Sequence, residues 1–149
     1  MSKDLIIRSS SAEFLIFERQ THDKGIQVRF EDGDLWLTQK SIGELFDTTR
    51  NNITMHINEI YKNFELGEKS TSKDFLLVQK EGNREVKRKV KYYNLDAIIA
   101  VGYRINSRKA TEFRIWATKV LKEYMTKGFA LNDERLKNNG TSQYFEELL

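Results

Sequence analysis

Thr38-Gln-Lys-Ser-Ile-Gly-Glu-Leu-Phe-Asp-Thr-Thr-Arg-Asn-Asn-Ile-Thr-Met-His-Ile-Asn58 is the stretch on which the reading of the fold turns. Ile42, Leu45 and Phe46 share one face of a helix that Thr38 can cap, and Ile53, Ile57, Ile60 and Phe64 form a second helical stripe. Only Asp47-Thr-Thr49 separates the two, which leaves room for a tight turn and nothing more. As a unit, Gln39 to Asn58 has the layout of a helix-turn-helix, with Gly43 where the helices must approach closely and Ile42, Phe46, Ile53 and Ile57 facing inward. Asp47 stands where glycine commonly makes the left-handed turn, a conformation Asp tolerates better than most residues. Thr48 takes the place of a more usual buried Val or Ile.

The outward positions of the second helix are then Thr49, Arg50, Asn51, Thr54, Met55 and Asn58, with Asn52 on the flank. Arginine can bond guanine through two acceptors, asparagine can pair with the donor and acceptor of adenine, and a threonine methyl can meet that of thymine. A merely solvated helix would carry more Glu and Lys. Thr49, Arg50, Asn51, Thr54 and Asn58 are therefore candidate base-reading residues for double-stranded DNA. The competing reading is an αα-hairpin with a polar outer face. The segment is itself neutral, Lys40 and Arg50 against Glu44 and Asp47, so affinity for a polyanion has to come from elsewhere.

The charge distribution says where. Residues 1–72 carry a net −3, residues 73–127 a net +8 and residues 128–149 a net −2. Within the basic middle, Arg84, Lys87, Arg88, Lys89 and Lys91 crowd one arm of an expected hairpin that starts at Phe75-Leu-Leu-Val78, turns at Glu81-Gly-Asn-Arg84 and runs to Tyr93. On that arm Val86, Val90 and Tyr92 alternate with Lys87, Lys89 and Lys91, so one face packs and the other is a row of ammonium groups. Lysines on a solvated edge strand are one explanation, since they block aggregation. The other is a wing beside the helix-turn-helix, holding phosphates while the helix reads base edges. On that reading the phosphate-binding candidates are Gln39, Lys40, Arg84, Lys87, Arg88, Lys89 and Lys91.

Outward from this centre, residues 13–37 read as β structure: Phe14-Leu-Ile-Phe17, the alternation of Ile26, Val28 and Phe30, then the turn Glu31-Asp-Gly-Asp34 into Leu35-Trp-Leu37. After the basic hairpin, Asn94 can cap a helix carrying Leu95, Ile98, Ile99 and Ile105. Ser107 can cap a longer one with Phe113, Trp116, Val120 and Tyr124, which Gly128 would end. Trp36 and Trp116 read as core residues, and His56 as an edge-of-core histidine bonded to backbone or phosphate. The expectation is an α+β, winged helix-turn-helix-like domain with an N-terminal β-hairpin, a basic β-hairpin and two C-terminal helices supplying a Trp116-centred core. Its expected division is a tail over 1–12, the DNA-binding domain over 13–137, and over 138–149 a linker, Asn138-Asn-Gly-Thr-Ser142, with the start of a further helical region.

A chain of 149 residues suits one domain with a real core, and 39% hydrophobic with 32% charged residues suits a soluble globular one. The absence of Cys excludes disulfides, thiolate metal sites and cysteine nucleophiles, and fits the reducing cytoplasm. Two histidines, His22 and His56, leave little room for an all-histidine metal site or a His-based triad. The first residues carry no signal-peptide pattern, and Ala97 to Tyr103 is too short to span a bilayer. An enzyme reading rests on Asp74 with Glu85-Val-Lys87, similar to the Asp…Glu-x-Lys pattern of Mg-dependent nucleases. Three residues in so charged a chain are a weak motif, and no other acid cluster lies near. The expectation is a protein without catalysis, cofactor or metal.

The stretch Leu35-Trp-Leu-Thr-Gln-Lys-Ser-Ile-Gly-Glu-Leu-Phe46, the segment from Tyr92 to Ser107 and the segment from Phe113 to Tyr124, closing with Lys127-Gly-Phe-Ala-Leu-Asn-Asp-Glu-Arg-Leu136, resemble the RhuM family of bacterial virulence-associated proteins. More distantly, the Trp36-Leu-Thr-Gln39 opening and the Phe113-Arg-Ile-Trp116 ending are similar to the Bro-N domain of phage and viral antirepressors. The resemblance implies a DNA-binding or transcription-regulating role and a mobile-element origin, and brings no catalytic residues with it. Family members usually continue past the position of Leu149, and Tyr144-Phe-Glu-Glu-Leu-Leu149 looks like the opening of that next region. Asp47, Thr48 and Arg50-Asn-Asn52 are where sequence specificity would differ between relatives. Antirepressors can also act on a repressor protein, so a protein partner is the alternative; it would need an exposed apolar patch, with Met55 and Tyr61 as its markers. A homodimer matched to two half-sites stays open, with no heptad or obvious dimer helix in the sequence.

Overall fold

The computed structural model describes residues 13–22 and 25–139, with side chains through residue 128. Two tight turns lay out its sheet. Asp32 and Gly33 both take left-handed backbone, φ 55° and 72°, the mirror-image turn that matches strand twist, and join β1 (Arg29–Glu31) to β2 (Asp34–Thr38). Gly82, φ 64°, opens the second turn, between β3 (Ser72–Glu81) and β4 (Arg84–Asn94). β2 joins the two hairpins through Trp36↔Asn94, Leu37↔Tyr93 and Thr38↔Tyr92, giving an antiparallel sheet of order β1-β2-β4-β3.

Helix α1 covers residues 13–21. Between β2 and β3 come α2 (Gln39–Leu45), α3 (Arg50–Lys62) and the single turn α4 (Glu68–Thr71); after β4 come α5 (Leu95–Gly102) and α6 (Arg108–Asn139). The expected caps are in place: Thr38 Oγ1 accepts the Ser41 N–H at 3.1 Å, Asn94 Oδ1 that of Ala97 at 3.2 Å, and Ser107 Oγ that of Ala110 at 3.0 Å. The α+β class and the two hairpins stand as expected from the sequence.

By its contacts the chain divides into residues 1–114 and 115–149. The core of the first unit closes on Phe113, whose ring meets Phe46, Phe17 and Phe14 edge-on at centroid distances of 5.0, 5.8 and 6.4 Å. Gly102 makes this possible, because a Cβ there would stand 2.6 Å from the Phe113 ring and 2.8 Å from that of Phe46. Phe113 thus holds the place expected of Trp116, which is only half-buried. In the second unit α6 runs on to Asn139, past the expected stop at Gly128. Gly128 lacks the left-handed backbone that a glycine terminator adopts, and a glycine inside a helix is tolerated at a cost of about 1 kcal/mol relative to Ala.

Three further expectations need correction. Residues 13–21 are helical rather than β: Phe14, Phe17 and Glu18 are buried at helical spacing while Ile16 is exposed. A four-residue apolar run cannot by itself tell a buried strand from one turn of helix. Ile26 and Val28 precede β1 and lie in no strand, and Ile105 is buried beyond the end of α5 rather than on it. Phe64 leaves the stripe of Ile53, Ile57 and Ile60, because α3 ends first. It takes left-handed backbone at φ 58°, while Glu65 N–H returns to Ile60 O at 3.0 Å and Phe64 N–H to Tyr61 O at 3.2 Å. Its side chain stands 91% exposed. The expected tail over 1–12 lies outside the described residues, as does the segment from residue 140 onward. Among the described residues no helix is long and apolar enough to cross a membrane.

Candidate functional site

The crossing of α2 and α3 follows from two residues. Asp47 takes the left-handed backbone of the turn, φ 53°, and Thr48 N–H bonds Gly43 O at 2.9 Å. A Cβ on Gly43 would meet Thr48 O at 2.9 Å, so the position admits no side chain without a shift. Ile42, Leu45, Phe46, Ile53 and Ile57 are all buried beneath this turn, as the spacing predicts. Thr48, where an apolar residue is usual, gives its hydroxyl to Asn52, whose Nδ2 donates to it at 2.9 Å. A polar pair thus replaces a buried methyl contact at the turn.

Thr49 caps α3 by accepting the Asn52 N–H at 3.1 Å, so its hydroxyl is committed within the chain. Arg50, Asn51 and Asn58 are exposed, with no hydrogen bond from their side chains among the described residues. Thr54 is committed too: its Oγ1 donates to Gln39 Oε1 at 2.6 Å, and Gln39 Nε2 donates to the Tyr93 hydroxyl at 2.9 Å. Gln39, a phosphate-binding candidate from its sequence position, therefore acts as a strut between α3 and β4. Met55 is exposed, but its helical neighbours Asn51, Asn52, Asn58 and Glu59 are polar. Tyr61 is half-buried with its hydroxyl bonded to Thr71 at 2.8 Å, and burial pushes its pKa up. The two markers of an apolar docking patch therefore do not make one.

Beyond Tyr92 no third strand lies beside the β3–β4 hairpin among the described residues, and eight cross-strand pairs from Asp74↔Lys91 to Glu81↔Arg84 form a ribbon about 27 Å long. Pairing fixes its faces. Lys87, Lys89 and Lys91 share one face with Val78, Leu76 and Asp74, and with Tyr93, whose ring packs toward α2. Arg84 and Arg88 lie on the other face with Val86 and Val90, and Arg88 bonds Glu81. The five basic residues of the arm are thus divided, three toward the helices and two away. Lys87 and Lys89 have no acidic partner among the described residues, whereas Lys91 meets Glu68 at 3.3 Å. That hydrogen bond to a carboxylate holds the Lys91 ammonium above the usual lysine range.

Lys40, Arg50, Lys89 and Lys91 line one open groove of about 870 Å³ between the start of α2, the start of α3 and the ribbon, with Glu44 as its acidic member. The arrangement can hold an extended anion along the lysines beside Arg50, and Asn51 and Asn58 stand exposed on the same helix as Arg50. Asp74 and Glu85, the acids of the nuclease-like fragment, stand six residues apart along the ribbon, about 20 Å, too far to share a metal ion. Among the described residues no three His, Asp or Glu side chains converge as metal ligands would.

Arg104 is the residue that sequence reading passed over. Its guanidinium bonds His56 Nδ1 through Nε at 3.2 Å, Glu59, and Glu65 at 3.5 Å, tying α3 to the end of α5. His56 is thus held by a side chain rather than by backbone. Residues 48 apart in sequence give no local signal for such a contact. The model of the Virulence protein RhuM family matches residues 70–149, which takes in β3, β4, α5 and α6 and leaves α2 and α3 outside. No curated protein and no solved structure matches the chain.

Proposed function

The chain belongs to the virulence protein RhuM family, and from that footing we propose that it binds double-stranded DNA as a transcriptional or antirepressor-like regulator in the cytoplasm, without catalysis or cofactor. The observation that carries the reading is the shared groove: Arg50 from the start of α3 and Lys89 and Lys91 from the ribbon face the same space. α3 enters the major groove with Arg50, Asn51 and Asn58 toward base edges, and Thr49 and Thr54 offer their methyls there. Lys40, Lys87, Lys89 and Lys91 neutralise phosphates alongside and supply the affinity that the neutral helix-turn-helix lacks. The Thr54–Gln39–Tyr93 strut keeps reader and ribbon at a fixed offset.

Selection of bound duplexes from a random pool at two salt concentrations, with a Mg-containing arm scored for cleavage, tests the proposal. An enriched motif that survives the higher salt is the expected result. Binding without enrichment that vanishes as salt rises would reduce the site to a basic surface and favour a protein partner. Cleavage in the Mg arm would restore the nuclease reading.

A further inference from the structure

β3 is the outer strand of the sheet, ten residues long, and no strand covers its far side among the described residues. Such an edge is a template for another chain, and proteins usually blunt it with inward charges, bulges or proline. β3 carries instead Leu76 and Val78, each 59% exposed, on the lysine face of the ribbon. Its charges sit at the two ends in opposite order, Lys73-Asp74 at the start and Lys80-Glu81 at the finish. Laid antiparallel on itself about Leu77, the strand matches Lys73 with Glu81, Asp74 with Lys80, Leu76 with Val78, and Leu77 with itself. Opposite charges facing across strands stabilise the pair, and like charges oppose it. Moving the centre to Leu76 would set Asp74 against Val78, and moving it to Val78 would set Leu76 against Lys80. One two-fold register therefore satisfies every charged and every apolar aliphatic position. Within its own chain Lys73 meets Asp32 at 3.0 Å and Glu81 meets Arg88, so the ion pair that pairing adds is Asp74 with Lys80.

We propose that β3 is a homodimer interface at which a second copy's β3 pairs antiparallel about Leu77. The two-fold axis is normal to the ribbon, so each face keeps its side. Leu76 and Val78 of both copies then form one apolar strip, and the rows of Lys87, Lys89 and Lys91 from two chains lie on one continuous surface. The dimer needs no dimerisation helix. Its existence does not depend on what those lysines bind.

Sedimentation equilibrium of the full chain without DNA is the first test: a monomer–dimer equilibrium is expected, and a monomer up to the solubility limit overturns the proposal. Asp74→Lys and Lys80→Asp each set like charges across the interface and should each sediment as monomer, while their equimolar mixture restores opposite charges at both ends and should dimerise. Singles that dimerise like wild type, or a mixture that stays monomeric, would overturn the register. Because the chain has no cysteine, Leu77→Cys gives an independent readout that tolerates poor folding of the charge variants. It should oxidise to a disulfide dimer, since directly opposed strand residues have the Cα separation a disulfide requires. Gln79→Cys, whose two copies stand apart in this register, should not, and the reverse pattern would place the interface elsewhere.

Discussion

Replacing Lys87 and Lys89 together by Gln removes two ammonium groups from the lysine face of β4, neither of which has an acidic partner among the described residues. Each lost phosphate contact should lower the slope of log K against log salt by about 0.9, so the pair removes about 1.8. Over a fourfold rise in salt, the affinity of the variant should then fall about twelvefold less than that of wild type. Lys91→Gln should change the slope by less than either neighbour, because Glu68 already neutralises Lys91 in part. Arg84→Gln with Arg88→Gln is the internal control, equal in charge removed but on the opposite face, with Arg88 held by Glu81. Fluorescence anisotropy with one labelled duplex across a salt series measures all four. An unchanged slope in the lysine variant, or an equal fall in the arginine variant, would refute the assignment of phosphate contacts to the lysine face.

Arg50→Ala should weaken binding to the selected motif by about 1–3 kcal/mol relative to a duplex altered at one base step, and equal weakening on every duplex would remove Arg50 from base reading. Gly102→Ala should destabilise the domain: overpacking against the buried rings of Phe113 and Phe46 costs about 1–3 kcal/mol, which the gain in helix propensity of about 1 kcal/mol offsets only in part. A thermal midpoint at or above wild type would contradict that packing. Phe64→Gly should stabilise by about 1 kcal/mol, since it relieves left-handed strain at a side chain that buries almost nothing, and chemical denaturation reads the change. Tyr61 is neutral in its buried setting with its pKa raised above 10.0, so its contribution is complete below pH 10 and is lost as pH rises through the folded value. Tyr61→Phe should shallow the alkaline fall in stability, and an identical fall would assign it to other groups.

The helix-turn-helix was legible because each of its requirements is local. Ile42, Phe46, Ile53 and Ile57 repeat at helical spacing, Gly43 marks the close approach, and Asp47 is a residue that accepts left-handed backbone. The caps at Thr38, Asn94 and Ser107 were legible for the same reason. The division of basic residues on the ribbon could also be read from parity, since Arg84 and Arg88 fall in step with Val86 and Val90 rather than with the lysines. What could not be read depends on contacts across the fold. Phe14 and Phe17 become helical because they pack on Phe113, nearly a hundred residues away. Gln39 looks free until Tyr93 and Thr54 take both ends of its amide. Phe64 kept the helical period of α3 in sequence, yet the helix ends at Lys62, two residues before it.

The alternating pleat of β4 sets how this arm tolerates change. A substitution in the ribbon alters one side chain on one face, but a single-residue insertion or deletion between Lys91 and Tyr93 would carry Lys87 and Lys89 to the far side and bring Val86 and Arg88 round in their place. The same insertion in the two-residue turn at Gly82 would leave every residue between Tyr93 and Arg84 where it is. Length variation in this lineage should therefore collect at the tip of the ribbon and be purged from its root, whatever the drift in the residues between.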